Sequence, residues 1–150
     1  EAMEYIQHCS QCRIFSETAI CEICASTHRD QHLLCLVENP IDVAAIEQTG
    51  SYRGKYFVLL GRLSPLDGMG PEEIGIAQLK SYFEKNMLKE VILATSPTVE
   101  GEATTHYISE LAKQYQLKVT RIAHGVPMGS ELEYIDSSTL AHALTGRAVI

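Results

Sequence analysis

Leu33-Leu34-Cys35-Leu36-Val37-Glu38-Asn39-Pro40-Ile41-Asp42 is the stretch whose reading decides the fold. Five apolar residues in a row lead into a single acid, and Asn-Pro then opens a longer amphipathic segment. Continuous apolar character, rather than strict alternation, suits a strand covered on both faces. Similar runs recur at Tyr56 to Leu60, Val91 to Ala94 and Val119 to Ala123. Helices are expected between and after them. Pro40 to Gln48 starts with a Pro and stops before Thr49-Gly50. Pro71 to Asn86 carries Glu72 and Glu73 in its first turn, where the helix dipole favours acids, and Ile76, Leu79 and Phe83 form its buried stripe. Glu100 to Gln116 places Tyr107, Ile108, Leu111, Ala112 and Tyr115 on one face, and Asp136 to Leu144 is a short helix capped by Asp136 or Ser137. Strands alternating with helices predict an α/β fold, a mostly parallel sheet flanked by helices on both faces.

Ligands of such sheets gather at the carboxyl ends of strands. Glu38 ends the first strand, and Glu100 and Glu102 follow the third. If those strands are neighbours, the carboxylates converge into a divalent-metal pocket or an acidic patch for a basic partner.

Upstream lies a different kind of segment. Four of the five cysteines fall in Cys9-Ser-Gln-Cys12 and Cys21-Glu-Ile-Cys24, two C-x-x-C pairs separated by eight residues. Each pair can turn both sulfurs to one side of a tight knuckle, and two knuckles supply the tetrahedron of thiolates that zinc prefers. A site closed by four thiolates is structural. Paired disulfides do not suit a cytoplasmic chain, and a redox C-x-x-C usually comes singly. An iron–sulfur cluster uses the same four thiolates, and spacing alone does not separate it from zinc. His8 and His28 flank the cluster and read as outer residues. Ile14, Phe15, Ile20 and Ile23 are too few to hold so short a segment by burial, so the metal replaces a core. Cys35 reads as a buried strand residue.

Composition sets the outer bounds. The chain has 150 residues, 45% hydrophobic and 21% charged, enough for a packed core. No apolar run approaches the roughly 18 residues of a membrane span, so a cytoplasmic protein is expected. The net charge of −7 disfavours general nucleic-acid binding. The window from Thr49 to Leu66 has no acid, however, and holds Arg53, Lys55 and Arg62. With Arg13 of the knuckle these are the candidate DNA contacts, against the plainer reading of a solvated loop. The scattered glycines form no phosphate loop and read as turns. His106 reads as packed or solvated, and His124 as a polar contact beyond the fourth strand.

Taken together, these segments resemble a known family. Leu36-Val-Glu-Asn-Pro-Ile-Asp42 is similar to the first Toprim motif, and Ile92-Leu-Ala-Thr-Ser-Pro-Thr-Val-Glu-Gly-Glu-Ala-Thr104 to the second. With the four-cysteine knuckle upstream, Leu63-Ser-Pro-Leu-Asp-Gly68 and Arg121-Ile-Ala-His-Gly-Val-Pro127, their order is that of the RecR family. The resemblance covers nearly the whole chain. It implies a cytoplasmic bacterial protein, nucleoid-associated when acting on DNA, that works with RecO and RecF to load RecA onto single-stranded DNA. It divides the chain into residues 1–8 as the end of a helical region, 9–24 as a zinc finger, 32–127 as a Toprim domain and 128–150 as a C-terminal helix and tail. The chain opens at Glu1 without Met, and Glu1 to Gln7 reads as a helix end. Family chains usually begin with a helix-hairpin-helix domain, implied to carry much of the DNA binding and part of a ring contact. A ring of four is implied for the complete protein, and a monomer or dimer for this chain.

The resemblance also bears on catalysis. Toprim enzymes such as type IA topoisomerases carry Asp-Pro-Asp before the second motif's Glu-Gly-Glu, where this chain has Ser96-Pro97-Thr98. Family relatives often carry Asn at the Ser96 position, which is neutral as well. Mg²⁺ wants carboxylate oxygens, and without it phosphoryl transfer lacks its charge neutraliser. No tyrosine stands in a nucleophile motif. The expectation is therefore a scaffold with no catalytic residue, and the rival is a weak metal-dependent Toprim nuclease or primase-like enzyme using Glu38, Glu100 and Glu102. In the scaffold reading Glu38, Asp42, Glu100 and Glu102 form an acidic face for a basic partner such as RecO, unless Asp42 and the two glutamates merely favour helix starts.

Overall fold

The computed structural model describes residues 7–16, 18–59, 75–85, 87–95, 99–123, 126–129 and 131–150; the side chains of residues 7, 15 and 99–101 lie outside that description. The expectations for Arg62, residues 63–68, the helix start at Pro71, Ser96 to Thr98 and His124 fall outside the described residues. The chain divides into two compact units, Glu1–Thr120 and Arg121–Ile150.

In the first unit, a small antiparallel pair, β1 (Gln7–His8) and β2 (Phe15–Ser16), leads into a one-turn helix α1 (Glu22–Ala25). The sheet follows: β3 (Asp30–Val37), α2 (Pro40–Glu47), β4 (Gly54–Val58), α3 (Ile76–Lys85), β5 (Glu90–Leu93), α4 (Val99–Gln114) and β6 (Lys118–Arg121). Gln7 is thus in a strand, not at the end of a helix.

The sheet order is β4-β3-β5-β6, and β3 pairs in parallel with both β4 and β5. Its burial explains the continuous apolar runs. Side chains alternate across a strand, yet β3 is buried on both sides. Leu34 and Leu36 join Phe57, Val91 and Leu93 under α3 and α4, through Ile76, Leu79, Phe83, Ile108 and Leu111. Cys35 and Val37 join Tyr56, Val58 and Val43 of α2 in a second cluster, which also contains all four knuckle cysteines. The knuckle therefore covers part of the sheet face for which a helix was expected. Tyr107, predicted on the packed face of α4, is 37% exposed. Ile108, Leu111 and Ala112 are buried as predicted, and Tyr115 packs on the core edge-to-face with Phe83.

The β3–β4 register shifts between Asp30 and Leu34, and Gly54 sits at the irregularity. A Cβ on Gly54 would lie 2.7 Å from the Leu33 Cβ and collide with the Tyr52 side chain. Only glycine permits that approach.

The second unit carries a 3₁₀ turn (Leu132–Tyr134) and α5 (Ser137–Thr145). Asp136 caps α5, accepting from the Thr139 N–H at 2.9 Å, as the sequence suggested. Neither element buries a residue. Among the described residues no helix is long and apolar enough to cross a membrane.

Candidate metal centre and functional site

The knuckle is built from backbone turns that aim sulfurs inward. Cys9 begins the first turn, and its Sγ accepts from the Gln11 and Cys21 backbone N–H groups at 3.4 and 3.3 Å. Cys21 caps α1, its Sγ accepting from the Cys24 N–H at 3.5 Å. All four sulfurs lie within 4.8 Å of one another, and all four residues are buried. Zn–S bonds of about 2.3 Å in a tetrahedron place sulfurs about 3.8 Å apart, so this donor set fits zinc. Burial would raise the Cys9 thiol, but N–H donors from Cys12, Cys21 and Gln11 outweigh it and bring its pKa down to about 6. Cys12 moves strongly the other way, through its hydrogen bond with the Cys24 side chain and through burial. Four crowded thiols cannot all ionise by themselves; a divalent cation binding them as thiolates removes that conflict. Among the described residues this is the only His, Cys, Asp or Glu group that converges in this way.

The knuckle is fastened to β4, the edge strand. The Val58 N–H donates to the Cys12 carbonyl at 2.7 Å, using a backbone donor that an edge strand otherwise leaves open. Lys55 is only 6% exposed, and its ammonium donates to the carbonyls of Ile23, Cys24 and Ser26 at 3.1, 2.6 and 3.4 Å. These carbonyls belong to the C-terminal end of α1, where a cation is favoured. Lys55, expected at a DNA surface, instead holds the metal turn in place. Arg13 is also drawn inward. It adopts φ 71°, and its guanidinium stands 5.5 Å from the Phe57 ring centroid, a cation–π contact. It lies so close to Gly75, itself at φ 92°, that a Cβ there would collide with it. The knuckle thus touches β4 along its edge, at Tyr56 and Val58, and at Phe57.

The acids separate in a similar way. β3 and β5 are parallel neighbours, with Leu36 opposite Leu93, so Glu38 and the start of α4 both follow the carboxyl ends of the two central strands. Yet Glu38 is 1% exposed and cannot offer its carboxylate to a partner's surface. Asp42 is engaged in the capping box of α2, its Oδ2 accepting from the Asn39 N–H at 3.1 Å. Of the four acids expected on one face, Glu38 is therefore buried, and Asp42 is half-buried and engaged at the start of α2. Glu102 is exposed in the first turns of α4, and the side chain of Glu100 lies outside the described residues. Thr95, two residues beyond the end of β5, and the buried Thr105 of α4 share a hydrogen bond.

One network carried no sequence signal. Arg29 pairs with Glu47 at the end of α2 through both guanidinium nitrogens, and it donates to the Gly54 carbonyl at 3.3 Å. Tyr56 donates to the same carboxylate. The hydrogen bond from Arg29 depresses the Glu47 pKa despite partial burial. Arg29 and Glu47 stand 18 residues apart, so only the fold reveals the pair.

Three family models match the chain. The four-cysteine zinc finger domain of RecR matches residues 6–26, the Toprim domain residues 32–123 and the C-terminal region of RecR residues 125–148. The chain is 55% identical over 150 residues to "Recombination protein RecR" of Saccharophagus degradans, covering 100% of this chain and 76% of that protein. It is 54% identical over 147 residues to the protein of the same name in Hahella chejuensis, covering 98% of this chain and 73% of that one. The buried sulfur cluster and the matching zinc-finger model together make the four cysteines a structural zinc site.

Proposed function

The chain belongs to the RecR family of recombination proteins, and from that premise we propose that it is a non-enzymatic scaffold, working with RecO and RecF to promote RecA loading on single-stranded DNA. The observation that carries this reading is a likeness running through the zinc finger, the Toprim domain and the C-terminal region alike. A role in recombination and repair follows from that likeness.

Three features support the absence of catalysis. The zinc shell is closed by four thiolates and has no position for a substrate. Ser96 and Thr98 supply no charge for Mg²⁺. Glu38 is sealed from solvent, whereas Mg²⁺ keeps several waters and binds at accessible carboxylates. Partner docking then falls to Glu102, exposed on α4, with Glu100 close by in sequence. A basic surface of RecO would meet these acids with complementary charge.

Calorimetric titration of RecO into the chain tests this. Glu102→Lys is expected to weaken binding about tenfold, equivalent to about 1.4 kcal/mol. An unchanged affinity would remove Glu102 from the interface, and no RecO binding by the unaltered chain would remove the scaffold reading. Millimolar Mg²⁺ is expected to leave the amide signals of Glu38 and Glu102 in place. Joint saturable shifts would favour a Toprim enzyme.

A further inference from the structure

With Lys55 and Arg13 engaged inside the fold, a different cationic group faces solvent. An open cleft of about 240 Å³ is lined by His28, Arg29, Glu47, Gly50, Tyr52 and Arg53. Its single acid, Glu47, is already held by two guanidinium nitrogens of Arg29 and by the Tyr56 hydroxyl. Two arginines against one glutamate leave a formal charge of +1 on a chain whose net charge is −7. The nearby Asp30 carboxylate accepts from the His32 N–H at 2.8 Å.

The cleft is also fixed in place. The guanidinium of Arg29 is anchored on two sides, to Glu47 and to the Gly54 carbonyl. The Tyr52 hydroxyl donates to the Lys55 carbonyl at 2.7 Å, and its ring stands edge-on to Tyr56. The Arg53 carbonyl accepts from the Asp30 N–H at 2.7 Å, which sets the backbone of that loop. Arg53 and His28 are exposed, and neither side chain makes a hydrogen bond among the described residues. Anchored backbone with free donors, and no free acid on the wall, is the arrangement that receives a phosphate group.

We propose that this cleft binds the phosphodiester backbone of single-stranded DNA, with Arg53 and His28 donating to phosphate oxygens and the anchored Arg29 supplying fixed positive charge. The site is built from residues other than the acids of α4 and stands independently of the docking to RecO.

The test is fluorescence anisotropy of a labelled oligothymidylate with the zinc-loaded chain, from ~50 to ~300 mM KCl, a range that runs from weak to strong screening. Each phosphate contact on a single strand contributes about 0.7 to the slope of log affinity against log salt. Arg53→Gln is expected to reduce that slope by about 0.7 and to weaken binding about fivefold at the lowest salt. Arg53→Lys keeps the charge and should stay near the unaltered chain. Lys113→Gln changes the net charge equally at the exposed Lys113–Glu110 pair of α4 and should leave the slope unchanged. RecO binding measured on the same variants should not move, which separates this proposal from the scaffold reading. Equal slopes for Arg53→Gln and the unaltered chain, equal effects of Arg53→Gln and Lys113→Gln, or no salt-sensitive binding at all would each overturn the proposal.

Discussion

The knuckle and the C-terminal unit are both short segments, and they are organised in opposite ways. The knuckle buries all four cysteines and shares a cluster with Cys35, Val37, Tyr56 and Val58 of the sheet. The C-terminal unit buries nothing in its two helical elements, and Ile122, Met128, Leu132, Tyr134 and Leu144 stand exposed. The difference shows what a small segment needs in order to be fixed. The knuckle has a metal, a backbone bond to an edge strand and a buried ammonium on its carbonyls. The C-terminal helix has its Asp136 cap and local hydrogen bonds. Capping contributes about 1 kcal/mol, whereas structural zinc contributes on the order of 10 kcal/mol in small fingers.

The most severe way to break the comparison is to remove a zinc ligand. Cys12→Ser should lower the stability of the first unit by about 4 kcal/mol or more, visible as lost zinc stoichiometry and an early thermal transition. The helical signals of α5 should persist through that transition.

Lys55→Met comes next. It keeps the aliphatic stem but leaves the carbonyls of Ile23, Cys24 and Ser26 without their ammonium donor. A cost of about 2–3 kcal/mol follows from losing charge-assisted hydrogen bonds in a buried place. Zinc transfer to a competing chelator should also become faster. Unchanged stability would mean that the knuckle does not depend on the clamp.

A smaller effect sharpens the account of the sheet edge. Glu47 has a folded-state pKa below its ordinary value of 4.5, chiefly through Arg29. A depressed carboxylate stabilises the fold above its unfolded pKa and loses that contribution as pH falls through the folded value. Because the pair is partly exposed, Glu47→Gln should cost only about 1 kcal/mol at neutral pH. The gap to the unaltered chain should close as pH falls below 4.5, in parallel denaturant titrations.

Smallest of all is Leu132→Ser in the second unit. With that side chain 63% exposed, stability should stay within about 0.5 kcal/mol. A larger loss would show that the residue is buried by something in solution, and the contrast between the two segments would need revision.

Much of this molecule was legible before its structure. The central strands β3 and β4 announced themselves because both faces are covered, which forces continuous apolar runs such as Leu34 to Val37, whereas the run expected at Val119 to Ala123 is a strand only at Lys118–Arg121 and is not buried. The zinc ligands were legible because C-x-x-C pairs encode a local geometry. What stayed hidden was long-range. Nothing near Lys55 in the sequence says that its ammonium reaches carbonyls 29 to 32 residues away. A lysine in an acid-free window therefore reads as a surface cation. Glu38 reads as a pocket acid because strand ends usually open to ligand, and its burial depends on elements packed around that end. Arg29 was overlooked because it sits in the turn before β3 and its partner Glu47 lies 18 residues on, at the end of α2. The knuckle's place on the sheet was also invisible, since binary pattern says that a strand face is covered but not by what.

Hydrogen exchange during zinc removal tests the central claim, that metal and sheet edge hold one another. The amide to follow is Val58, which donates to Cys12, with the amides of α5 as internal control. Chelation should accelerate exchange at Val58 by at least about a hundredfold, equivalent to about 2.7 kcal/mol, and leave α5 unchanged. Full protection at Val58 after zinc has gone would contradict the account, because the sheet edge would then stand without the knuckle's metal.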